Sequence, residues 1–335
     1  MTGPSPEAPL IEALALSKRF TKSLDFAGRI AARLGAGPGE ETVHAVDAVS
    51  LAVGKGEVVG LVGESGCGKS TLGRMIAGLL EPSDGIVRLE GRDRATLTGA
   101  EAKAARLAVQ MIFQDPSASL NPRARVDRIV GEAPVVHGLV SASERTDYVA
   151  DILGRVGLDP QMMRRYPHQF SGGQRARIGI ARALAVRPRF LVCDEAIAAL
   201  DVSIQAQVIN LFMDLRREFD LTYLFISHDL GVVSHICDRV VIMYLGRIVE
   251  SAPADALFAA PNHPYAQALL AEMPRVTTER RSFHPIKGEI PSPLAPPTGC
   301  HFHPRCPRAM PRCSAERPAL REIAPGRWAA CHLND

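Results

Sequence analysis

The apolar run Glu57–Val62 leads into Gly63-Glu64-Ser65-Gly66-Cys67-Gly68-Lys69-Ser70, and a helical pattern runs from Ser70 to Leu80. The spacing fits G-x-x-x-x-G-K-[ST], and a strand before it with a helix after it is the context that pattern needs. Glycines let the backbone curl until its N–H groups converge on phosphate oxygens, and the helix N-terminus adds the positive end of its dipole. Lys69 supplies a charge for the β- and γ-phosphates, and the Ser70 hydroxyl a ligand for Mg²⁺. Gly63, Glu64, Ser65, Gly66, Cys67, Gly68, Lys69, Ser70 and Thr71 are therefore the candidate nucleotide loop. That loop commits the chain to an α/β fold.

The rest of the pattern agrees. Leu10–Leu16, Val46–Val53, Ile86–Leu89, Ala108–Phe113, Phe190–Cys193 and Thr222–Ile226 read as strands, and Arg239–Tyr244 with Arg247–Glu250 as a hairpin turning at Leu245-Gly246. Helical stretches alternate with them, which predicts a mostly parallel sheet covered on both faces. Residues 1–9 read as a loose terminus and 23–43, rich in glycine, as an insertion with one short helix.

Phe190-Leu191-Val192-Cys193-Asp194-Glu195 is an apolar strand ending in two carboxylates. Beside a phosphate loop, such an Asp belongs to the Mg²⁺ shell and the following Glu faces the attacking water. Phe170-Ser171-Gly172-Gly173-Gln174 opens a helix with a Ser N-cap and two glycines, a second anion site in the same chain. One nucleotide does not need two such loops, so this segment reads as a site for another subunit's nucleotide.

With that segment the chain resembles the ATP-binding cassette (ABC) ATPases over about residues 10–255. The resemblance makes Ser171, Gly172, Gly173 and Gln174 the signature that closes over a partner's ATP, Gln114 the Q-loop, Asp201 the D-loop and His228 the switch histidine. It implies Glu195, His228 and Gln114 as catalytic residues, and Ser70, Gln114 and Asp194 around Mg²⁺. Read singly, Gln114 could be a polar loop residue, Asp201 a helix N-cap and His228 a surface histidine. The implied fold is a P-loop (RecA-like) nucleotide-binding domain with a helical subdomain at about 115–175. The runs QDPSASLNP from Gln114, CDEAIAALDVSIQAQ from Cys193 and NHPYAQALL from Asn262 resemble the oligopeptide/dipeptide importers, and the wording CDEA their F-type ATPase. Ala196-Ile197 stand where the partner D-type commonly has Pro-Thr. The signature opens with Phe170 rather than Leu. Phe20 takes the place of the usual Tyr against adenine, with Val46 beside it.

Composition breaks at the C-terminal end. Residues 275–335 carry 10 Lys/Arg against 5 Asp/Glu, 10 of the 25 prolines and 4 of the 7 cysteines. Residues 256–335 are read as a separate region. Cys300, Cys306, Cys313 and Cys331 suggest metal rather than disulfides in a cytosolic chain. Their spacing is neither a zinc ribbon nor a standard ferredoxin pattern, and it resembles the cysteine set that holds a [4Fe–4S] cluster in some of these importers. Zinc and free thiols stay open. Arg305, Arg308 and Arg312 read as counter-charges, and His301, His303 and His332 as flanking residues rather than ligands.

No stretch is apolar enough to span a membrane and no secretory signal is legible, so a cytosolic address is the default, and the resemblance implies a peripheral place on the cytoplasmic face of the inner membrane. The tail lacks the interleaved aromatics of a nucleic-acid reader, so no nucleic-acid partner is expected. The resemblance implies a D-type ATPase, two permease subunits and an extracytoplasmic solute-binding protein as partners. The resemblance implies an ATP-hydrolysing subunit that energises import of di- and oligopeptides, with nickel or another small solute as the alternative cargo. A soluble cassette acting in DNA repair or translation is the competing reading, and the absence of a heptad run between Gly68 and Ser171 speaks against it.

Overall fold

The computed structural model describes residues 8–22, 41–273 and 288–335. Residues 1–7 of the expected loose terminus and 23–40 of the 23–43 insertion lie outside them. Residues 41–43 already belong to a strand.

Strands β3 (Val58–Val62), β6 (Val109–Ile112), β7 (Phe190–Asp194), β8 (Thr222–Ile226) and β9 (Arg239–Tyr244) form the parallel heart of the molecule, in the order β9-β3-β8-β7-β6. Every residue of β3, β7 and β8 is buried, as expected of strands covered on both faces. Helix α1 (Lys69–Ala77) packs on one face within a core that includes Leu72, Ile76, Val192 and Ile226. On the other face lie α2 (Val126–Val136), α3 (Arg145–Arg155), α4 (Gly172–Leu184), α5 (Val202–Phe219) and α6 (Leu230–Ile236), whose buried residues share a core with Leu191, Cys193 and Phe225.

A second, four-stranded antiparallel sheet, in the order β2-β1-β4-β5, lies beside the first and shares its core. It joins β1 (Ile11–Lys22), β2 (Glu41–Val53), β4 (Asp84–Leu89) and β5 (Arg92–Asp93). The sequence pattern marked only pieces of β1 and β2 and did not separate this sheet. The register of β1 on β2 shifts three times, and Ala15 and Ala48 take positive φ of 49° and 50°. Such bulges break the period-two alternation that identifies a strand.

The C-terminal region also joins the large sheet. After β10 (Arg247–Pro253) come α7 (Ala254–Ala259), α8 (Pro264–Ala271) and, later, the hairpin β11 (Arg321–Ala324) and β12 (Arg327–Ala329). Strand β12 pairs antiparallel with β10, Glu250 opposite Ala329 and Ser251 opposite Trp328. Among the described residues no helix is long and apolar enough to cross a membrane.

Candidate nucleotide site

The phosphate loop leaves β3 and ends at α1, whose N-cap is Gly68 in the left-handed region at φ 105°. A Cβ on Gly68 would stand 2.1 Å from the Ala45 carbonyl oxygen, and one on Gly63 2.1 Å from that of Met243. Both obstacles are backbone, so no rotamer change relieves them. Gly68→Ala is therefore expected to abolish nucleotide binding. Titration with a fluorescent ADP analogue checks this, and wild-type affinity would contradict it. Lys69, 5% exposed, donates from Nζ to the carbonyls of Gly63 at 2.7 Å and Glu64 at 3.0 Å. Thr71 sits in the first turn of α1, directly after Ser70.

Ser70 Oγ donates to Asp194 Oδ1 at 2.7 Å, joining the start of α1 to the end of β7. Burial raises the Asp194 pKa, opposed by the Ser70 hydrogen bond and Arg74. A hydroxyl and a half-starved carboxylate side by side make a hard oxygen pair suited to Mg²⁺. Glu195 follows with φ 47°, unusual for a non-glycine residue, and its N–H donates to Ile226 O at 2.9 Å. Strain of that kind concentrates at functional sites. Its carboxylate lies between two expected partners: Gln114 Nε2 donates to Oε2 at 2.7 Å, and His228 Nδ1 stands 3.4 Å from Oε1.

Thus one constellation gathers Lys69, Ser70, Asp194, Glu195, Gln114 and His228. The signature segment belongs to another place. Ser171 caps α4, with Gln174 N–H on Ser171 Oγ at 3.3 Å and Ser171 N–H on Gln174 Oε1 at 3.0 Å. Ser171 and Gly172 are exposed. Gly173 packs so closely on Ile204 that a Cβ would come within 2.5 Å of it. Asp201 is the exposed N-cap residue of α5 without capping through its side chain. Phe20 is 44% exposed, paired across β1 and β2 with Val43, with Lys18 Nζ 5.4 Å from its ring centre. Val46, expected beside adenine, is 1% exposed and belongs to the core.

Sequence reading missed the contact between the tail and the loop. Arg305 reaches Glu64 through two hydrogen bonds, 2.7 and 2.9 Å long. Expected as a counter-charge for thiols, it serves the phosphate loop instead. Arg308 lines the thiol cavity, and Arg312 pairs with Glu316 and Asp335. The Glu64 N–H donates to Tyr265 Oη at 2.8 Å. Tyr244, Tyr265 and Phe302 pack together with ring centres 4.7 to 5.3 Å apart.

The four tail cysteines line one small hollow, with only about 10 Å³ open at its centre, together with His263, His303, His332 and Arg308. Both ring nitrogens of His332 are engaged, by Asp335 and by the Glu316 carbonyl. His301 is buried and bonded through Nδ1 to Leu245 O at 2.9 Å. Among the described residues, no three His, Cys, Asp or Glu side chains gather tightly enough to hold a metal ion.

Residues 46–198 match the ABC transporter family and residues 249–313 the oligopeptide/dipeptide transporter C-terminal region. The chain is 52% identical over 296 residues to the oligopeptide transport ATP-binding protein AppF of Bacillus subtilis, covering 87% of this chain and 90% of that one. It is 51% identical over 292 residues to the probable peptide ABC transporter ATP-binding protein y4tS of Sinorhizobium fredii, covering 87% and 83%. Among solved structures, a dimeric post-hydrolysis state of the ATP-binding cassette MJ0796 bound to ADP and Pi is 26% identical, with a TM-score of 0.62 over 73% of this chain and 98% of that one. With the loop, the acidic pair and the signature segment in their places, the chain belongs to the ATPases of the ABC transporter family and carries the C-terminal region of its oligopeptide/dipeptide branch.

Proposed function

We propose that this chain energises a membrane importer of di- and oligopeptides, working head to tail with a D-type ATPase beneath two permease subunits fed by an extracytoplasmic binding protein. The observation that carries the reading is Glu195 held between Gln114 and His228 beside the Ser70–Asp194 pair. The ATP phosphates fit the curled Gly63–Gly68 backbone and Lys69. Ser70, Asp194 and Gln114 would hold Mg²⁺, which neutralises developing phosphate charge. Glu195 takes up or orients the proton of the attacking water, and His228 and Gln114 fix its carboxylate. Ser171, Gly172, Asp201 and Val202 are exposed on the signature side, which suits closure over a partner's ATP. A polar groove lined by Arg123, Arg125, Asp127, Arg128 and Tyr166 in the helical subdomain suits a short permease helix. The chain would then sit on the cytoplasmic face of the membrane without entering it.

In cells carrying the whole importer, ATP-driven uptake of a radiolabelled dipeptide should vanish with Lys69→Ala. Unchanged peptide uptake alongside lost nickel uptake would redirect the assignment.

The tail thiols fit an iron–sulfur group. They share one cavity, and the imidazole of His263 lining it has a buried Nε2 without a partner among the described residues. The four ligands of a [4Fe–4S] cluster bind four separate irons and so stand farther apart than ligands of a single ion. Cys300, Cys306, Cys313 and Cys331 would hold it, and when bound it supplies a cross-link with one-electron chemistry. Anaerobically purified chain should show broad absorbance near ~400 nm and about four irons and four sulfides. One zinc without colour would make the site a structural clip, and neither metal would leave free thiols.

A further inference from the structure

The run His263-Pro264-Tyr265 lies between the two sites. His263 caps α8, its Nδ1 accepting the Tyr265 N–H at 3.1 Å. A neutral imidazole that accepts at Nδ1 carries its proton on Nε2. That Nε2 is buried, with no partner among the described residues, on a ring only 1% exposed. The ring lines the cavity shared by the four tail thiols. A buried donor is rarely left unpaired, because it forfeits its hydration and gains nothing. Two residues on, Tyr265 is fully buried and its phenol oxygen accepts the Glu64 N–H of the phosphate loop. One turn of chain therefore borders the thiol site at one end and touches the nucleotide loop at the other.

We infer that His263 donates a hydrogen bond from Nε2–H to a sulfur held at the four-thiol site, and that the His263–Tyr265 turn is a strut fastening that site to the phosphate loop. The first half rests on the iron–sulfur reading above, and the second does not. Pro264, at the first helical position, stiffens the turn where its missing N–H costs nothing. A donor to sulfur favours the more negative, reduced form of a cluster. The strut fixes the Glu64 N–H and with it the curl of the loop.

Three variants of the full chain, purified without oxygen, test this. In His263→Asn the amide oxygen takes the place of Nδ1 and still accepts from Tyr265, but nothing replaces Nε2–H. Iron and sulfide should be retained and the cluster midpoint potential should shift to more negative values. His263→Gln, whose amide nitrogen reaches the Nε2 position, should keep the wild-type midpoint. Tyr265→Phe keeps the ring packing and removes the acceptor for Glu64, so the dissociation constant for a fluorescent ADP analogue should rise several-fold at unchanged iron content. A wild-type midpoint in loaded His263→Asn would overturn the donor. Wild-type nucleotide affinity in Tyr265→Phe would overturn the strut. Wild-type chain free of iron and sulfide would overturn the iron–sulfur reading itself and the donor with it, while the Tyr265→Phe measurement would still decide the strut.

Discussion

Glu195→Gln is expected to bind ATP and hydrolyse it at least a hundredfold more slowly in the assembled transporter. The amide keeps the size of the side chain, and both neighbours can still bond to it: Gln114 now contacts Oε2 at 2.7 Å and His228 lies 3.4 Å from Oε1. What disappears is the basic carboxylate. General-base contributions are typically about 10²–10⁴-fold in rate, and the φ of 47° at this residue shows backbone committed to one orientation of the group. The Ser70–Asp194 pair and Lys69 are untouched, so ATP affinity should survive. An ATP-bound closed dimer should then accumulate, because hydrolysis is what reopens it. Size-exclusion chromatography with ATP, beside a steady-state phosphate-release assay, reads both effects. Normal turnover by the variant would remove Glu195 from the reaction.

Much of this site was legible because its parts are contiguous runs with local backbone consequences. Gly63–Ser70 dictates a curl and a helix start, Ser171–Gln174 a capped helix N-terminus, and Phe190–Glu195 a buried strand with carboxylates at its end. Gln114 and His228 were placed by the resemblance and not by any local pattern, since a single polar residue at a strand end has no signature of its own. The antiparallel sheet escaped because bulges at Ala15 and Ala48 scramble its alternation. The β11–β12 hairpin escaped too. Its Pro325-Gly326 turn signal was present, but a proline-rich, basic composition dominated the reading of the tail. What pattern could not supply was the meeting of Glu64 with Arg305. These residues lie 241 positions apart, and the pairing follows from where the aromatic packing of Tyr244, Tyr265 and Phe302 sets the tail down. The run NHPY was recognisable only as a subfamily fingerprint until the contacts of His263 and Tyr265 gave it a physical role.

The Glu64–Arg305 pair should show a marked asymmetry on mutation. Its side chains are unequally buried, 5% exposed for Arg305 and 21% for Glu64. Arg305 Nε is already buried without a partner among the described residues, and the remaining nitrogens spend their bonds on Glu64 and, at 3.4 Å, on Tyr244 Oη. Glu64→Met would strand a guanidinium in the interior, where breaking a buried pair costs about 3–5 kcal/mol. Arg305→Met would leave the more accessible carboxylate, which water can partly reclaim, and should cost less. Replacing both by Met removes the stranded charge and should recover much of the loss, the non-additivity expected of groups in direct contact. Thermal unfolding of the full chain should therefore rank Glu64→Met as least stable, then Arg305→Met, with the double variant above Glu64→Met. Nucleotide affinity should fall in all three, because each removes the Arg305 brace and leaves the loop held to the tail by the Tyr265 contact alone. Equal and additive destabilisation would mean that the pair is solvated and that the tail does not brace the phosphate loop through it.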